Sequence, residues 1–321
     1  MKLPIAHKFV LCILVVVAAV TLCVLPFLSI GKETIYIYTK SLHPNSRELG
    51  FIKELRGLGY EVKLNSSNMP RQEDIGIWFK APEYIKEINK SQAKYNFIYN
   101  EDYYPLNWQE IQTRLIVLTP YQDLYEHYSR SNIQSAKFIL GVNLADFYIN
   151  QNNFKSGYKE YPLVYYGDNN KPSPLAEKLR QEPNVKFLGR FWENNENILP
   201  DKDGDEAERR EFLSKAQIIA VYNEAVSTES KIINTEILEA TASGGLVISS
   251  PNSAAKEIYG DNIIIYEQLE DFPKQVNYYL NHPEIMRSKV INAQKITAEK
   301  LSSAASARRL HEIIEWLNKT A

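Results

Sequence analysis

Short runs of β-branched or aromatic residues alternate with segments that carry apolar residues at helical spacing from residue 34 onward. The segment 47–59, for example, repeats leucine and isoleucine at the three- and four-residue intervals of an amphipathic helix. The predicted strands of this half are TIYIYT (34–39), YEVKL (60–64), IGIWF (75–79), YNFIY (95–99), RLIVLT (114–119) and KFIL (137–140). Apolar strands separated by amphipathic helices predict a parallel sheet with helices on both faces, so the first half is an α/β domain.

The same alternation restarts in the second half after a polar, aperiodic stretch at 151–162 that is typical of a linker. The predicted strands there are LVYYGD (163–168), VKFLGR (185–190), AQIIAVY (216–222), LVISS (246–250) and NIIIY (262–266). We therefore predict domains at 34–150 and 160–300, with 301–321 as a helix that packs back on the first domain. Two such units leave a cleft, and open α/β sheets bind ligands beyond the carboxyl ends of their strands.

The N-terminal stretch 9–30 contains no charged residue. As a helix rising about 1.5 Å per residue it is long enough to cross a hydrocarbon core of roughly 30 Å. An uncleaved anchor is favoured over a secretory signal peptide, because the apolar core of a signal peptide is shorter, about 7–15 residues. Residues 1–31 are thus predicted to be a cytoplasmic stub and a single-pass transmembrane helix. Lysines lie on both sides of the span, so the side of the membrane that holds the remaining domains stays open.

The composition excludes several classes of function. A formal net charge of −2 with 24% charged residues offers no basic surface for nucleic acid. Both cysteines, Cys12 and Cys23, lie inside the apolar run, so the rest of the chain has no thiolate metal site or disulfide. A P-loop, a Gly-x-Ser-x-Gly elbow and a dinucleotide glycine fingerprint are all absent, which disfavours hydrolases and dehydrogenases. We expect neither a bound metal nor a cofactor.

The stretch NTEILEATASGGLVISS (234–250) begins as a helix and ends as a buried strand, with Glu236 and Glu239 one turn apart at its start. A helix N-terminus offers unpaired N–H groups and about half a positive charge, which suits a diphosphate. Gly244 and Gly245 are expected to end the helix and to allow close packing on the strand that follows. The alternative is that both acids only complement the helix dipole and are solvated.

Four stretches occur in an order that resembles a known family: GVNLADF (141–147), NVKFLGR (184–190), EATASGGLVISSPNSAAKEIYG (239–260) and NYYLNHPEIMRSKVINAQK (277–295). They resemble the group 1 glycosyltransferases of GT-B fold, especially the spore-maturation-protein-like branch. The resemblance implies two Rossmann-like α/β/α domains that face each other across a cleft. The first domain would take the acceptor and the second would bind a nucleotide-diphosphate sugar.

The resemblance also assigns donor-binding residues around the helix that starts near residue 234. A glutamate at the position of Glu239 binds the ribose hydroxyls in this family, and Asn234, Thr235 and Glu236 would line the helix end beside the diphosphate.

Further site residues are suggested by their positions in loops after predicted strands: cations that could bind the diphosphate, and acid–base residues that could act on the acceptor. Lys171 and Arg190, in the first loops of the second domain, are the nearby residues that could neutralise a leaving diphosphate, although surface charge is the alternative for both. In the first domain, His43, Glu101 and Asp102 follow predicted strands and face the presumed cleft, where a base must remove the acceptor's proton. A purely structural or solubilising role is the alternative for these three residues.

Two departures from the family pattern bear on activity. Lys231 occupies the position, eight residues before Glu239, where retaining members carry a second glutamate, and Glu236 stands where the spore-maturation branch often has arginine. The sequence therefore supports two hypotheses. The first is a membrane-anchored glycosyltransferase that uses a nucleotide sugar and a glycan or lipid-linked acceptor. The second is a catalytically degenerate relative that binds a sugar or nucleotide without turnover.

Overall fold

The computed structural model of the protein describes residues 33–39, 46–79, 81–100, 111, 113–147, 159–168, 173–189, 192, 198–199, 206–223 and 232–320. Two parallel sheets, one in each half of the chain, form the centres of two domains. The predicted α/β class with two parallel sheets is confirmed.

The first sheet has the order β2-β1-β3-β4-β5-β6, and all its neighbouring strands are parallel. Strands β3, β4 and β5 are buried at every position, because helices cover both faces of the sheet. The strands are β1 (Thr34–Tyr38), β2 (Glu61–Leu64), β3 (Ile75–Phe79), β4 (Tyr95–Tyr99), β5 (Leu115–Thr119) and β6 (Gln134–Lys137). The helices are α1 (Arg47–Gly57), α2 (Ile85–Lys90), α3 (Gln122–Arg130) and α4 (Leu144–Phe147).

The second sheet has the order β11-β10-β9-β7-β8 and is also parallel throughout. Its strands are β7 (Tyr161–Tyr166), β8 (Val185–Leu188), β9 (Ala216–Val221), β10 (Leu246–Ser249) and β11 (Ile264–Ile265). The helices of this half are α5 (Pro174–Leu179), α6 (Glu206–Lys215), α7 (Thr235–Ser243), α8 (Ser253–Tyr259), α9 (Phe272–Asn281), α10 (Pro283–Lys300) and α11 (Ser303–Thr320).

Both sheets reverse their strand order at one point, between β1 and β3 in the first and between β7 and β9 in the second. Connections on the two sides of such a point leave on opposite faces of the sheet, which opens a crevice beyond the carboxyl ends of the strands. The topology therefore places the ligand crevice of the second domain next to the ends of β7 and β9.

Helix boundaries follow local sequence signals. Ser46 Oγ accepts a hydrogen bond from Leu49 N at 3.3 Å and so caps α1. Ser173 Oγ accepts from Ala176 N at 3.0 Å, and Pro174 occupies the first position of α5. Gly244 ends α7 in the left-handed conformation with φ 79°, as the sequence predicts.

The last helix, α11, belongs to the first domain although it follows the second in sequence. Its apolar face, which includes Leu310 and Ile314, is buried with Phe51 of α1 in the core of the first domain. The chain crosses between domains where Val142 pairs in parallel with Ser302. Val142 and Leu301, at this crossing, are buried in the hydrophobic core of the second domain.

Two predicted elements differ from those observed. The edge strand β6 is Gln134–Lys137, so it begins three residues before the predicted KFIL at 137–140. Residues 138–140 instead continue toward the crossing with α11. The hydrophilic insertion predicted at 200–211 ends in helix α6 from Glu206, since Ala, Glu, Arg and Leu favour helix there.

The predicted membrane span at 9–30 and residues 151–158 of the predicted linker lie outside the described residues. Within the described ranges, no helix combines the length and apolarity needed to cross a membrane.

Candidate active site

Helix α7 begins beside the switch point of the second sheet. Its N-cap residue Asn234 is extended, with φ −64° and ψ 146°, and its side chain does not cap the helix. Instead Asn234 Oδ1 accepts a hydrogen bond from Asn252 Nδ2 at 3.3 Å. The cap side chain therefore leaves the amides of the first turn to other acceptors, and these amides carry the positive end of the helix dipole.

A buried amide and hydroxyl network fixes the approach to α7. Asn223, which follows β9, donates from Nδ2 to the Ser250 carbonyl at 2.9 Å, and its backbone N–H donates to Ser250 Oγ at 2.7 Å. Asn252 Nδ2 donates to the Ile232 carbonyl at 2.9 Å. The ends of β9 and β10 thereby hold the chain that enters the helix.

Glu239 lies one turn inside α7 and is only 4% exposed. The Tyr166 hydroxyl, at the end of β7, donates a short hydrogen bond to its Oε2. Arg209 Nη1 of α6 lies 3.6 Å from the same oxygen. Such partners offset the cost of burying a carboxylate, and Oε1 takes part in neither contact. Burial and the charge of Glu239 raise the pKa of Tyr166 well above its usual range, so the phenol stays a donor.

Glu236 lies at the mouth of the same helix end and is half-buried. Burial raises its pKa above the usual value, and the charges of Glu239 and Asp168 raise it further, while a hydrogen bond from its own backbone N–H lowers it. Glu236 is thus an acid in the first turn of α7, where its charge complements the positive end of the helix dipole.

The first domain contributes a cation to this helix end. Arg47, the first residue of α1, donates from Nη1 to the Leu140 carbonyl at 3.3 Å. Its positive charge lowers the pKa of the Glu236 carboxyl, although burial has the larger effect and leaves that pKa raised.

The loops after β7 and β8 close one side of the crevice. A Cβ at Gly189 would overlap the Gly167 carbonyl, and Gly189 has φ 139°, so the close approach requires glycine. Trp192 Nε1 donates to the same carbonyl at 2.8 Å. Tyr165 OH lies 2.9 Å from Ser173 Oγ, which links the end of β7 to the start of α5.

The predicted site residues divide into two groups. Asn234, Thr235, Glu236 and Glu239 share the first turns of α7 beside the switch point. The other predicted residues, with the departure at Lys231, lie outside the described part of the chain: His43, Glu101, Asp102, Lys171 and Arg190. Their roles stay predictions.

Three residues of the site were not predicted from the sequence. Arg209 belongs to helix α6, which the sequence analysis treated as part of a hydrophilic insertion. The helix-forming residues of EAERREFLSK could have indicated this helix. Tyr166 and Arg47 reach Glu239 and Glu236 only through the tertiary fold. No local pattern marks them.

A family model described as "Glycosyl transferase-like" matches residues 172–315, which include β8 to β11 and helix α7. This part of the chain is similar to glycosyltransferase domains. No curated protein matches the sequence of the chain. The narrower resemblance to the spore-maturation branch stays a prediction.

Solved structures share the whole fold. Anabaena HepE in complex with UDP-glucose matches with a TM-score of 0.58 and 11% identity over 88% of this chain and 99% of that one. T4 phage BGT in complex with its UDP-glucose substrate matches with a TM-score of 0.63 and 12% identity, over 87% of this chain and 98% of that one. A glycosyltransferase from Rickettsia africae matches with a TM-score of 0.58 and 14% identity, over 91% of this chain and 100% of that one. The likeness shows a GT-B-like fold, and together with the family match it supports a glycosyltransferase.

Proposed function

We propose that the protein transfers a sugar from a nucleotide-diphosphate donor, held mainly by the second domain, to a glycan or lipid-linked acceptor that enters from the first. The observation that carries this proposal is the carboxylate of Glu239, held one turn inside a helix whose N-terminus faces the switch-point crevice. Glu239 Oε1 would accept the ribose hydroxyls, while Tyr166 and Arg209 hold Oε2.

The diphosphate of the donor would lie at the N-terminus of α7. The first-turn amides and Arg47 supply positive potential there, and Lys171 and Arg190 are the further cations that the sequence predicts. Stabilising the leaving diphosphate lowers the barrier because its charge develops in the transition state. HepE and BGT bind UDP-glucose, so a UDP-sugar is the first donor to test.

The acceptor's proton would pass to a base on the first domain. His43 comes shortly after β1 in the sequence, and Glu101 and Asp102 come directly after β4. The carboxyl ends of parallel strands border the ligand crevice, which supports these three residues as candidates. Imidazole and carboxylate are both competent bases near neutral pH. We propose that no metal or cofactor takes part besides the donor itself.

The apolar stretch 9–30 would anchor the protein in a membrane as a single-pass helix. Its length and lack of charge support this location, and the side that carries the catalytic domains stays open.

One observation favours the second candidate, a GT-B-like protein that binds a sugar or nucleotide without turnover. Glu236 places its own carboxylate at the helix end where a donor diphosphate would bind, and Lys231 replaces the second family glutamate. Nucleotide binding would then persist while transfer is lost.

A two-step experiment distinguishes the candidates. Thermal shift with UDP, GDP and ADP identifies the nucleotide, and release of that nucleotide from its sugar donors is then followed over a panel of glycan and lipid-linked acceptors. Stabilisation with turnover supports the glycosyltransferase, and stabilisation without turnover supports the binding protein. No stabilisation by any nucleotide refutes the glycosyltransferase and a nucleotide-binding relative.

A further inference from the structure

Trp316 of α11 is the most exposed large hydrophobic side chain in the described part of the chain, with 59% of its surface accessible. The neighbouring apolar residues of the helix, such as Ile313 and Leu317, are buried in the first-domain core. Trp316 therefore lies off the core-facing side of α11, and its indole is available to another surface.

Trp316 forms one wall of a groove of about 420 Å³ between α11 and the free edge of the first sheet. The other polar groups of the helix wall are Arg309 and Glu312, whose Nη1 and Oε2 lie 3.3 Å apart. The groove thus combines an aromatic ring with one positive and one negative group and carries no net charge on its helix wall.

The groove lies near the point where the apolar N-terminal stretch joins the fold. Glu33 immediately precedes β1 and is held at its carboxylate by Lys94 Nζ at 3.5 Å and Asn318 Nδ2 at 3.3 Å. Asn318 is two residues beyond Trp316 on α11, and Lys94 immediately precedes β4. The start of the first strand and the end of α11 therefore meet at the amino edge of the first sheet.

Strand pairing gives the distance across this edge. The groove residue Ile116 on β5 is in register with Phe97, Phe97 with Ile77, and Ile77 with Ile37 on β1. Three strand spacings of about 4.8 Å separate β5 from β1 by about 14 Å. Ile37 lies three residues, or about 10 Å, along β1 from Thr34, so Trp316, two residues before Asn318, is the part of the groove nearest the chain entering at Glu33.

We propose that this face of the first domain, formed by Trp316, Arg309 and Glu312, rests on the surface of the bilayer in which residues 9–30 are anchored. The inference rests on the anchor given in the proposed function. Tryptophan favours the headgroup region because its ring is apolar and its N–H is polar. The paired Arg309 and Glu312 match the phosphate and ammonium of a zwitterionic headgroup better than a net anionic one.

A second copy of the chain fits this face less well. The adjacent edge strand β6 ends in exposed Gln134 and Lys137, and a charged edge opposes strand pairing between chains. A single exposed aromatic ring also falls short of the roughly 1,000 Å² that a stable protein interface buries.

Bromolipid quenching tests the proposal on the full chain. The protein is reconstituted in phosphatidylcholine vesicles with and without lipids brominated near the headgroup, and the emission of Trp316→Phe is subtracted to isolate Trp316. We expect a blue-shifted Trp316 component that loses most of its intensity with brominated lipid, independent of salt. A matched control carries Tyr278→Trp in the Trp316→Phe background, which moves the reporter to an exposed position of the second domain. Its emission should not change.

Alkaline extraction of the same vesicles tests the anchor separately. Integration together with an unquenched Trp316 overturns the docking face and leaves the anchor intact. Loss of integration with Trp316 still quenched by added vesicles refutes the anchor and supports the face. Equal quenching of Trp316 and of the control, or a dimer in sedimentation that Trp316→Ala converts to monomer, overturns the proposal.

Discussion

Arg209 Nη1 lies 3.6 Å from Glu239 Oε2, so a helix from the hydrophilic insertion supplies the countercharge for the most deeply buried acid of the site. This ion pair engages Oε2, and in the proposed function Oε1 binds the ribose. Stability and the proposed nucleotide binding therefore depend on the same side chain.

The first prediction concerns Glu239→Gln. The change leaves Arg209 without its countercharge and should lower the free energy of unfolding by about 2 kcal/mol, less than the roughly 3–5 kcal/mol of a fully buried pair because the Arg209 side chain is 19% exposed. UDP affinity should fall about 10–100-fold, since a charged hydrogen bond to ribose is worth about 1.5–3 kcal/mol. Urea unfolding and calorimetric titration measure the two effects.

In contrast, Tyr166→Phe should lose about 1–2 kcal/mol of stability while UDP affinity is retained. Unchanged UDP binding by Glu239→Gln would remove Glu239 from the ribose site.

The second prediction concerns Glu236 and pH. Its folded pKa lies above the ordinary value of 4.5, so its contribution to stability is present below that value and is lost as pH rises through the folded pKa. The melting temperature of Glu236→Gln should therefore fall less than that of the wild type as pH rises from 4 toward neutrality.

The same variant should bind UDP about two- to fivefold more tightly at neutral pH, because removing a charge from the anion site of a helix end is worth about 0.3–1 kcal/mol. Titration of both proteins at equal ionic strength measures this. Weaker binding by Glu236→Gln would mean that the carboxylate contacts the donor directly.

The third prediction concerns Lys159, whose Nζ donates to the Gly244 carbonyl at 2.8 Å at the end of α7. Burial lowers its pKa from 10.5 to about 7. The unfolded chain then binds one more proton between these values, so stability rises with pH there by up to about 1.4 kcal/mol per unit. Denaturant unfolding from pH 7 to 9 should show this slope in the wild type and a smaller one in Lys159→Met. Parallel slopes in the two proteins would contradict it.

The fourth prediction uses two glycines of the first domain. A Cβ at Gly141 would overlap the Leu301 carbonyl at the domain crossing, so Gly141→Ala should lose about 1–3 kcal/mol of stability. Gly57 ends α1 with no atom within 4 Å of a Cβ, and Gly57→Ala should gain about 0.5–1 kcal/mol. Equal effects of the two variants in urea unfolding would show that the crossing tolerates displacement.

The fifth prediction concerns metal removal. In the described residues no group of three or more His, Cys, Asp or Glu side chains is placed to hold a metal ion, and the proposed donor site relies on amides and cations. Nucleotide release from the sugar donor should proceed at the same rate after EDTA treatment as before. A loss of activity that Mn²⁺ or Mg²⁺ restores would place a metal at the diphosphate.

The sequence was sufficient for the elements that depend on local pattern. Apolar runs located the central strands, and the glycine at 244 marked the end of α7 through its left-handed conformation. The edge strand β6 was misplaced because its residues, QSAK, lack apolar character at a half-exposed edge. The contacts of Tyr166 and Arg209 with Glu239 join three separate elements, and such long-range convergence leaves no periodic signal.

The placement of α11 in the core of the first domain has a consequence for biosynthesis. Residues 34–147 lack a core helix until residues 303–320 have been synthesised, whereas the second sheet and its own helices are complete by Lys300. The domain that is translated first is therefore the one completed last. The apolar face of the first sheet that α11 covers must therefore be protected, for example by a chaperone, while the second domain is being synthesised.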